Sequence, residues 1–137
     1  DVYYGAEVGL DLNDMSLKTN LSIEEIIRIH SSKSYDVYAI GFSPGFAFLA
    51  SVDKKIAVPR LSSPRKSVPK GSVAIADTQT AVYPQQSPGG WNIIGRTAME
   101  LFDKNLEKLS PLSVGYKVKF NPISKEEFLS QGGIIWV

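Results

Sequence analysis

Two stretches set glycine and proline directly against large aromatic rings: Gly41 to Leu49 (GFSPGFAFL) and Ser87 to Thr97 (SPGGWNIIGRT). This mix is poor for a helix and awkward for a plain strand, because proline lacks an amide donor and glycine loses the most backbone freedom on folding. The backbone of both stretches must take special turns, and tightly built loops are where binding surfaces are presented.

The chain has 137 residues, 43% of them apolar and 21% charged, enough for one domain with a real core. A net charge of +1, with no Lys/Arg block longer than two, argues against nucleic acid as a partner. Without cysteine there can be no disulfide, Cys-based zinc site or thiol catalysis. No apolar run approaches a membrane span, and a cytoplasmic location is expected. The sequence starts at Asp1 and passes at once into the strand-forming Val2, Tyr3 and Tyr4, which suggests a domain whose N-terminal neighbour is absent.

Residues Asp11 to Asn20 are helix-compatible, and Ser22 with Glu25 forms a capping-box pattern that predicts a helix from about Ile23 to Ser31. Tyr35 to Ile40 alternates as a strand. Pro59, Pro64 and Pro69 recur every five residues, so the segment from Val58 to Gly71 is expected at an edge or in a surface loop. Further strand signals run over Ser72 to Ala76, Thr80 to Tyr83, Trp91 to Gly95 and Gly115 to Phe120, and Ser124 with Glu127 opens a short helix through Leu129. Short strands at these intervals imply a barrel or a sandwich.

Arg60 and Arg65 can each present paired donors to a carboxylate or phosphate, or can be solvated loop arginines. Five residues apart in extended chain they point to opposite faces, so both reach one pocket only if Ser62 and Ser63 turn the backbone. Arg96 sits at a strand end, where a functional side chain is easily displayed. His30 is the only histidine, open either to acid–base work or to a hydrogen-bonded helix-end role. Gln79 and Tyr83 share a strand face, where an amide and a phenol together can read the C=O and N–H of a lactam. Phe46 and Trp91 are either core or a ligand platform. One histidine and no cysteine make no zinc ligand set; Ser43 and Ser87 lie in no nucleophile elbow; no Gly-x-x-x-x-Gly-Lys-Ser/Thr loop is present.

The sequence resembles the family of the 5-oxoprolinase B subunit, known also as allophanate hydrolase subunit 1 and as the Kip-type sensor-kinase inhibitor. The similarity runs in order from Val2 to Phe128. It passes through Tyr4, Gly5, Gly9, Asp11 and Leu12; Leu21, Ser22, Glu24, Glu25, His30 and Ser31; and Tyr38, Gly41, Phe42, Pro44, Gly45 and Phe46. It goes on through Pro59, Arg60, Pro64, Arg65, Val68, Pro69 and Gly71 to Val73; Gln79, Thr80, Tyr83 and Pro84; and Ser87 to Trp91 with Ile94 to Thr97. Departures are Ala6 and Asp77, where the family commonly has glycine, and the unmatched tail Ser130 to Val137, which is expected to dock as an extra strand or to bind a partner.

The resemblance implies a mainly β, cyclophilin-like closed barrel flanked by short helices, over residues 1–137, normally preceded by a smaller α/β domain. It implies work with two partner subunits, C and the ATP-using A, to open 5-oxoproline to glutamate, ATP being used through the complex and no metal being held here. His30 and Arg96 are then the catalytic candidates. Arg60, Arg65, Gln79, Tyr83, Phe46 and Trp91 are the substrate-binding candidates, with an arginine on the carboxylate and Gln79 and Tyr83 on the lactam. Two alternatives come with the family. One is a component of urea carboxylase or allophanate hydrolase type; the other is an inhibitor that binds a sensor histidine kinase, which exposed Phe46, Phe48 and Trp136 would favour. Prolyl isomerase activity is disfavoured, since no arginine stands among Ile40 to Ser43.

Overall fold

The computed structural model describes residues 1–101 and 111–135, so Trp136 lies outside the described residues. The first half of the chain forms β1 (Val2–Tyr3), α1 (Leu12–Thr19), α2 (Ile23–Ser31), β2 (Ser34–Ile40) and β3 (Ala47–Ala50). After a 3-10 turn at Lys54–Ile56 come β4 (Arg65–Val68), β5 (Ser72–Ala76), β6 (Gln79–Val82), β7 (Ser87–Gly89) and β8 (Asn92–Arg96). The described chain ends with β9 (Lys117–Lys119), β10 (Pro122–Ile123) and α3 (Lys125–Ser130).

Eight strands form one sheet in the order β10-β1-β8-β5-β6-β3-β2-β9, and β4 pairs with β7 as a separate ribbon. All neighbours are antiparallel except β1 with β10. The two edge strands, β9 and β10, are consecutive in the chain and separated only by Phe120 and Asn121, so the sheet curls until its edges meet. The Asn121 carbonyl completes the junction by accepting from the Val2 amide at 2.8 Å. The mainly β, barrel-like architecture expected from the sequence is therefore present, and the proline-spaced segment lies outside the main sheet as expected.

Both faces of the central strands are buried, because side chains alternate across a strand. Val73 and Ile75 of β5 join Leu12 and Met15 of α1 and Ile26 and Ile29 of α2, so the two helices cover that face. Ala74 and Ala76 of β5 face the other way with Ala81 of β6, and their small side chains leave room for Phe46, Tyr83 and Trp91. Val68, from the β4–β7 ribbon, packs into the same ring-rich cluster.

Local signals act as the sequence predicts, with one difference. Ser124 and Glu127 make the full reciprocal box at α3, whereas at α2 Ser22 accepts from the Glu25 amide at 3.1 Å without the return bond. Glu25 is diverted: its carboxylate takes the fork of Arg28 at 3.1 and 2.8 Å. Asp77 has φ +53° in the β5–β6 turn, a left-handed conformation that aspartate tolerates better than most residues.

Asp11 ties the layers together. Its carboxylate, 8% exposed, accepts from both terminal nitrogens of Arg65 at 2.7 and 2.8 Å and from the Ile93 amide at 2.7 Å, while its own amide donates to the Ile93 carbonyl at 2.9 Å. The start of α1, the middle of β8 and the head of β4 are joined by this one side chain. Replacing Asp11 by alanine strands a half-buried guanidinium and a buried N–H, and is expected to lower stability by roughly 3 kcal/mol or more in urea denaturation.

Candidate functional site

A cleft of about 130 Å³ opens over the ring-rich face. Phe46 is its floor, with ring centroids 4.9 Å from Phe48, 5.3 Å from both Phe42 and Tyr83, and 5.8 Å from Trp91. Three of these contacts are edge-to-face, the arrangement favoured by aromatic quadrupoles. Arg60 lies over the Trp91 ring with its guanidinium carbon 5.4 Å from the centroid, so a cation stands at the mouth of an aromatic box.

The special turns read from the sequence build this box. The Phe46 amide donates to the Ser43 carbonyl at 3.1 Å, and the turn needs positive φ at Phe42 (+66°) and Gly45 (+82°). Phe42 is thereby thrown out to the rim, 69% exposed. On the facing wall Gly89 and Gly90 line the cleft. A Cβ at Gly89 would stand 2.1 Å from the Tyr83 hydroxyl oxygen, so only glycine lets β7 close over that phenol.

Arg60 is placed by backbone anchors on either side of it. The Leu61 amide donates to the Gly90 carbonyl at 2.7 Å. The fully buried Asn92 donates to the Pro59 carbonyl at 2.9 Å and to the Ile75 carbonyl at 3.0 Å. Sequence reasoning missed the roles of Asn92 and Asp11, because each acts across 17 or more residues, as with Asn92 and Ile75 or Asp11 and Arg65.

The other candidates separate. Tyr83 is in the cleft wall; burial raises its pKa, partly offset by a backbone hydrogen bond from Trp91 and by the nearby charges of Arg60 and Arg65, so the phenol keeps its proton at neutral pH. The chain does bend at Ser62 and Ser63, yet Arg65 spends its fork on Asp11, which raises its pKa, and does not line the cleft. Gln79 donates to the Tyr38 hydroxyl on the flank beside Phe48, outside the lining. Phe46 is 2% exposed and Phe48 half-buried, so neither is the exposed anchor that kinase binding would use.

His30 is in the core on the helix-covered face and not at the cleft. The Thr80 hydroxyl donates to the Ala74 carbonyl at 2.8 Å, so it accepts from His30 Nε2–H at 2.9 Å, and Nδ1 in turn accepts the Tyr4 hydroxyl at 2.7 Å. Stacked on Phe120 at 4.5 Å, the neutral ring has no solvent contact, and burial pulls its pKa down to about 3. Both ring nitrogens of His30 are engaged and the ring is buried, so the structure does not bring His30 together with the cleft residues.

Arg96 is at the far end of β8, five residues and roughly 16 Å along the strand from Trp91. It is 3% exposed and lines a separate cavity with the tail, which forms no strand over its described residues, 131–135. The cleft can therefore bind a small flat acid through rings, a cation and a phenol. None of its lining residues is a carboxylate, a histidine or a nucleophile paired with a base.

Residues 1–112 match the family model described as carboxyltransferase domain, subdomain C and D. The chain is 48% identical over 127 residues to the 5-oxoprolinase B subunit of Bacillus subtilis, covering 93% of this chain and 53% of that protein. It is 45% identical to the same-named protein of Haemophilus influenzae, covering 87% and 56%. The chain thus spans about half the length of the curated relatives it matches. A conserved uncharacterized protein of Pyrococcus horikoshii superposes with a TM-score of 0.89 at 46% identity, over 93% of this chain and 59% of that one. The Kluyveromyces lactis urea carboxylase shares the fold at a TM-score of 0.73 and 16% identity, over 94% of this chain and 14% of that one.

Two outcomes follow from the geometry. With its folded pKa below the ordinary value of 6.5, His30 contributes stability that is whole above pH 6.5 and is lost as pH falls toward 3. The slope approaches about 1.4 kcal/mol per pH unit, seen as falling urea midpoints, while ¹⁵N NMR of this single histidine shows a neutral ring at pH 5. Gly89→Ala is expected to push Tyr83 into the cleft and cost about 1–3 kcal/mol by overpacking, measured by thermal denaturation with near-UV circular dichroism.

Proposed function

This chain belongs to the carboxyltransferase domain family, subdomain C and D, and on that premise we propose that the protein carrying it is one component of a multi-subunit, ATP-dependent 5-oxoprolinase. It works with C and A subunits to open the lactam of 5-oxoproline to glutamate. The names of its 41–48% identical relatives support this reading. The observation that carries it is the cleft itself, an aromatic box with one guanidinium at its mouth and a proton-bearing phenol in its wall.

In this reading Arg60 holds the substrate carboxylate, the substrate ring rests against the aromatic lining that includes Phe46 and Trp91, and Tyr83 addresses the lactam amide. Gln79 enters only by releasing Tyr38. ATP does not fit here: the cleft, at about 130 Å³, is well under the roughly 300 Å³ at which cofactor-sized pockets begin, and no phosphate loop is present in the sequence. Phosphoryl chemistry therefore falls to a partner, as does general acid–base catalysis, for which the cleft supplies no group.

A second reading, a non-enzymatic module that binds a sensor histidine kinase, draws on Phe42, Ile40 and Tyr38, which are 69%, 41% and 45% exposed. Copurification of a kinase in place of the C subunit would favour it. For the enzyme reading, the full-length protein is assembled with its partners and assayed for ATP-dependent glutamate release. Arg60→Ala is expected to reduce kcat/KM about 100-fold, chiefly through KM, corresponding to roughly 3 kcal/mol of lost charge contact. Unchanged kinetics in a folded Arg60→Ala complex would remove the site assignment, and a complete complex without turnover would remove the function.

A further inference from the structure

The guanidinium of Arg96 is buried and has no counter-charge among the described residues. Nη1 donates to the carbonyls of Ile134 and Ile135 at 2.6 and 3.2 Å, while Nε–H is buried and has no acceptor among the described residues. Leaving a buried charged donor unpaired is costly, and no carboxylate of the described residues pairs with this one. Arg96 lines a cavity of about 330 Å³ whose other walls include Pro69, Ala98, Met99 and Ile134. Lys70 and Glu100 also line it and neutralise each other at 2.7 Å, which leaves Arg96 as the net charge.

The cover over Arg96 is placed by defined geometry. At the end of α3 the Gly133 amide donates to the Phe128 carbonyl at 2.9 Å and the Gly132 amide to the Leu129 carbonyl at 3.1 Å, with Gly132 at φ +90°. This is a Schellman reversal, and it turns the chain so that the next two carbonyls meet Arg96. Gly133 lies flat on Phe128, where a Cβ would come within 2.5 Å of the ring.

We propose that the Arg96 cavity is a second binding site, for a carboxylate on a small apolar body, and that the tail segment from Gly132 to Ile135 is its displaceable cover. A carboxylate is the planar, two-oxygen partner of a guanidinium edge, so one ligand can take the orphaned Nε–H together with a terminal nitrogen. Pro69, Ala98, Met99 and Ile134 give a short hydrocarbon body an apolar wall that inorganic phosphate cannot use, while Gln86 and Thr97 add polar groups to the lining. This site is independent of the aromatic cleft, lying at the opposite end of β8.

Isothermal titration of the full-length protein with n-butyrate tests the proposal, with inorganic phosphate as a separate arm. Butyrate is expected to bind at one site, and Arg60→Ala, which alters only the cleft, to bind it as wild type does. Arg96→Lys keeps the charge but removes Nε–H and the planar fork, and is expected to weaken binding at least tenfold. Gly133→Ala, which forces the cover off Phe128, is expected to strengthen it several-fold; this variant decides the matter even if Arg96→Lys fails to fold. No butyrate binding by wild type and Gly133→Ala, undiminished binding by Arg96→Lys, loss in Arg60→Ala, or tighter binding of phosphate than of butyrate would each overturn it.

Discussion

One carboxylate holds the layers of this fold in register. Burying the charge of Asp11 is unfavourable in itself, and three short hydrogen bonds, two from a guanidinium and one from a backbone amide, offset it. Because these donors come from β4 and β8, the contact fixes the small ribbon against the large sheet. The β7 strand of that ribbon carries Pro88 and Gly89, one wall of the aromatic cleft. The cleft shape is thus set from behind, by an ion pair that never touches its contents.

The same sheet separates two kinds of interior. On the helix side a relay of Tyr4, His30, Thr80 and the Ala74 carbonyl satisfies every polar atom it buries, which specifies one ring orientation in a greasy setting. On the other side alanines make room for rings, and polar groups gather only at the mouth. Chemistry-bearing residue types are thus divided between a sealed face and an open one, and histidine falls on the sealed face.

Much of this was legible in the sequence where the signal is local. Ser22 and Ser124 mark the starts of α2 and α3, and Tyr35 to Ile40 shows its alternation. The glycine, proline and aromatic stretches do converge, bringing Phe46, Arg60, Tyr83 and Trp91 to one cleft. Strands of two residues such as β1 and β10 leave no periodicity to read, and they pair across about 120 positions. Arg65 and Arg96 look alike as loop and strand-end arginines in one dimension; only the partner 54 residues away, or the tail 38 residues away, tells a structural fork from an under-satisfied one. The setting of His30 is hidden for a similar reason, since its neighbours Tyr4 and Thr80 come from elements distant in the chain.

The two-residue link between β9 and β10 bears on how the protein is made. Both rims of the sheet, β1 and β2, are among the early strands to leave the ribosome, yet their outer partners emerge after every other strand of the sheet. Until then two rows of amides and carbonyls stand open to any passing strand, the condition that invites intermolecular pairing. A single short segment, arriving late, caps both at once, so nascent chains stalled before residue 117 should depend heavily on chaperones while completed ones need little help.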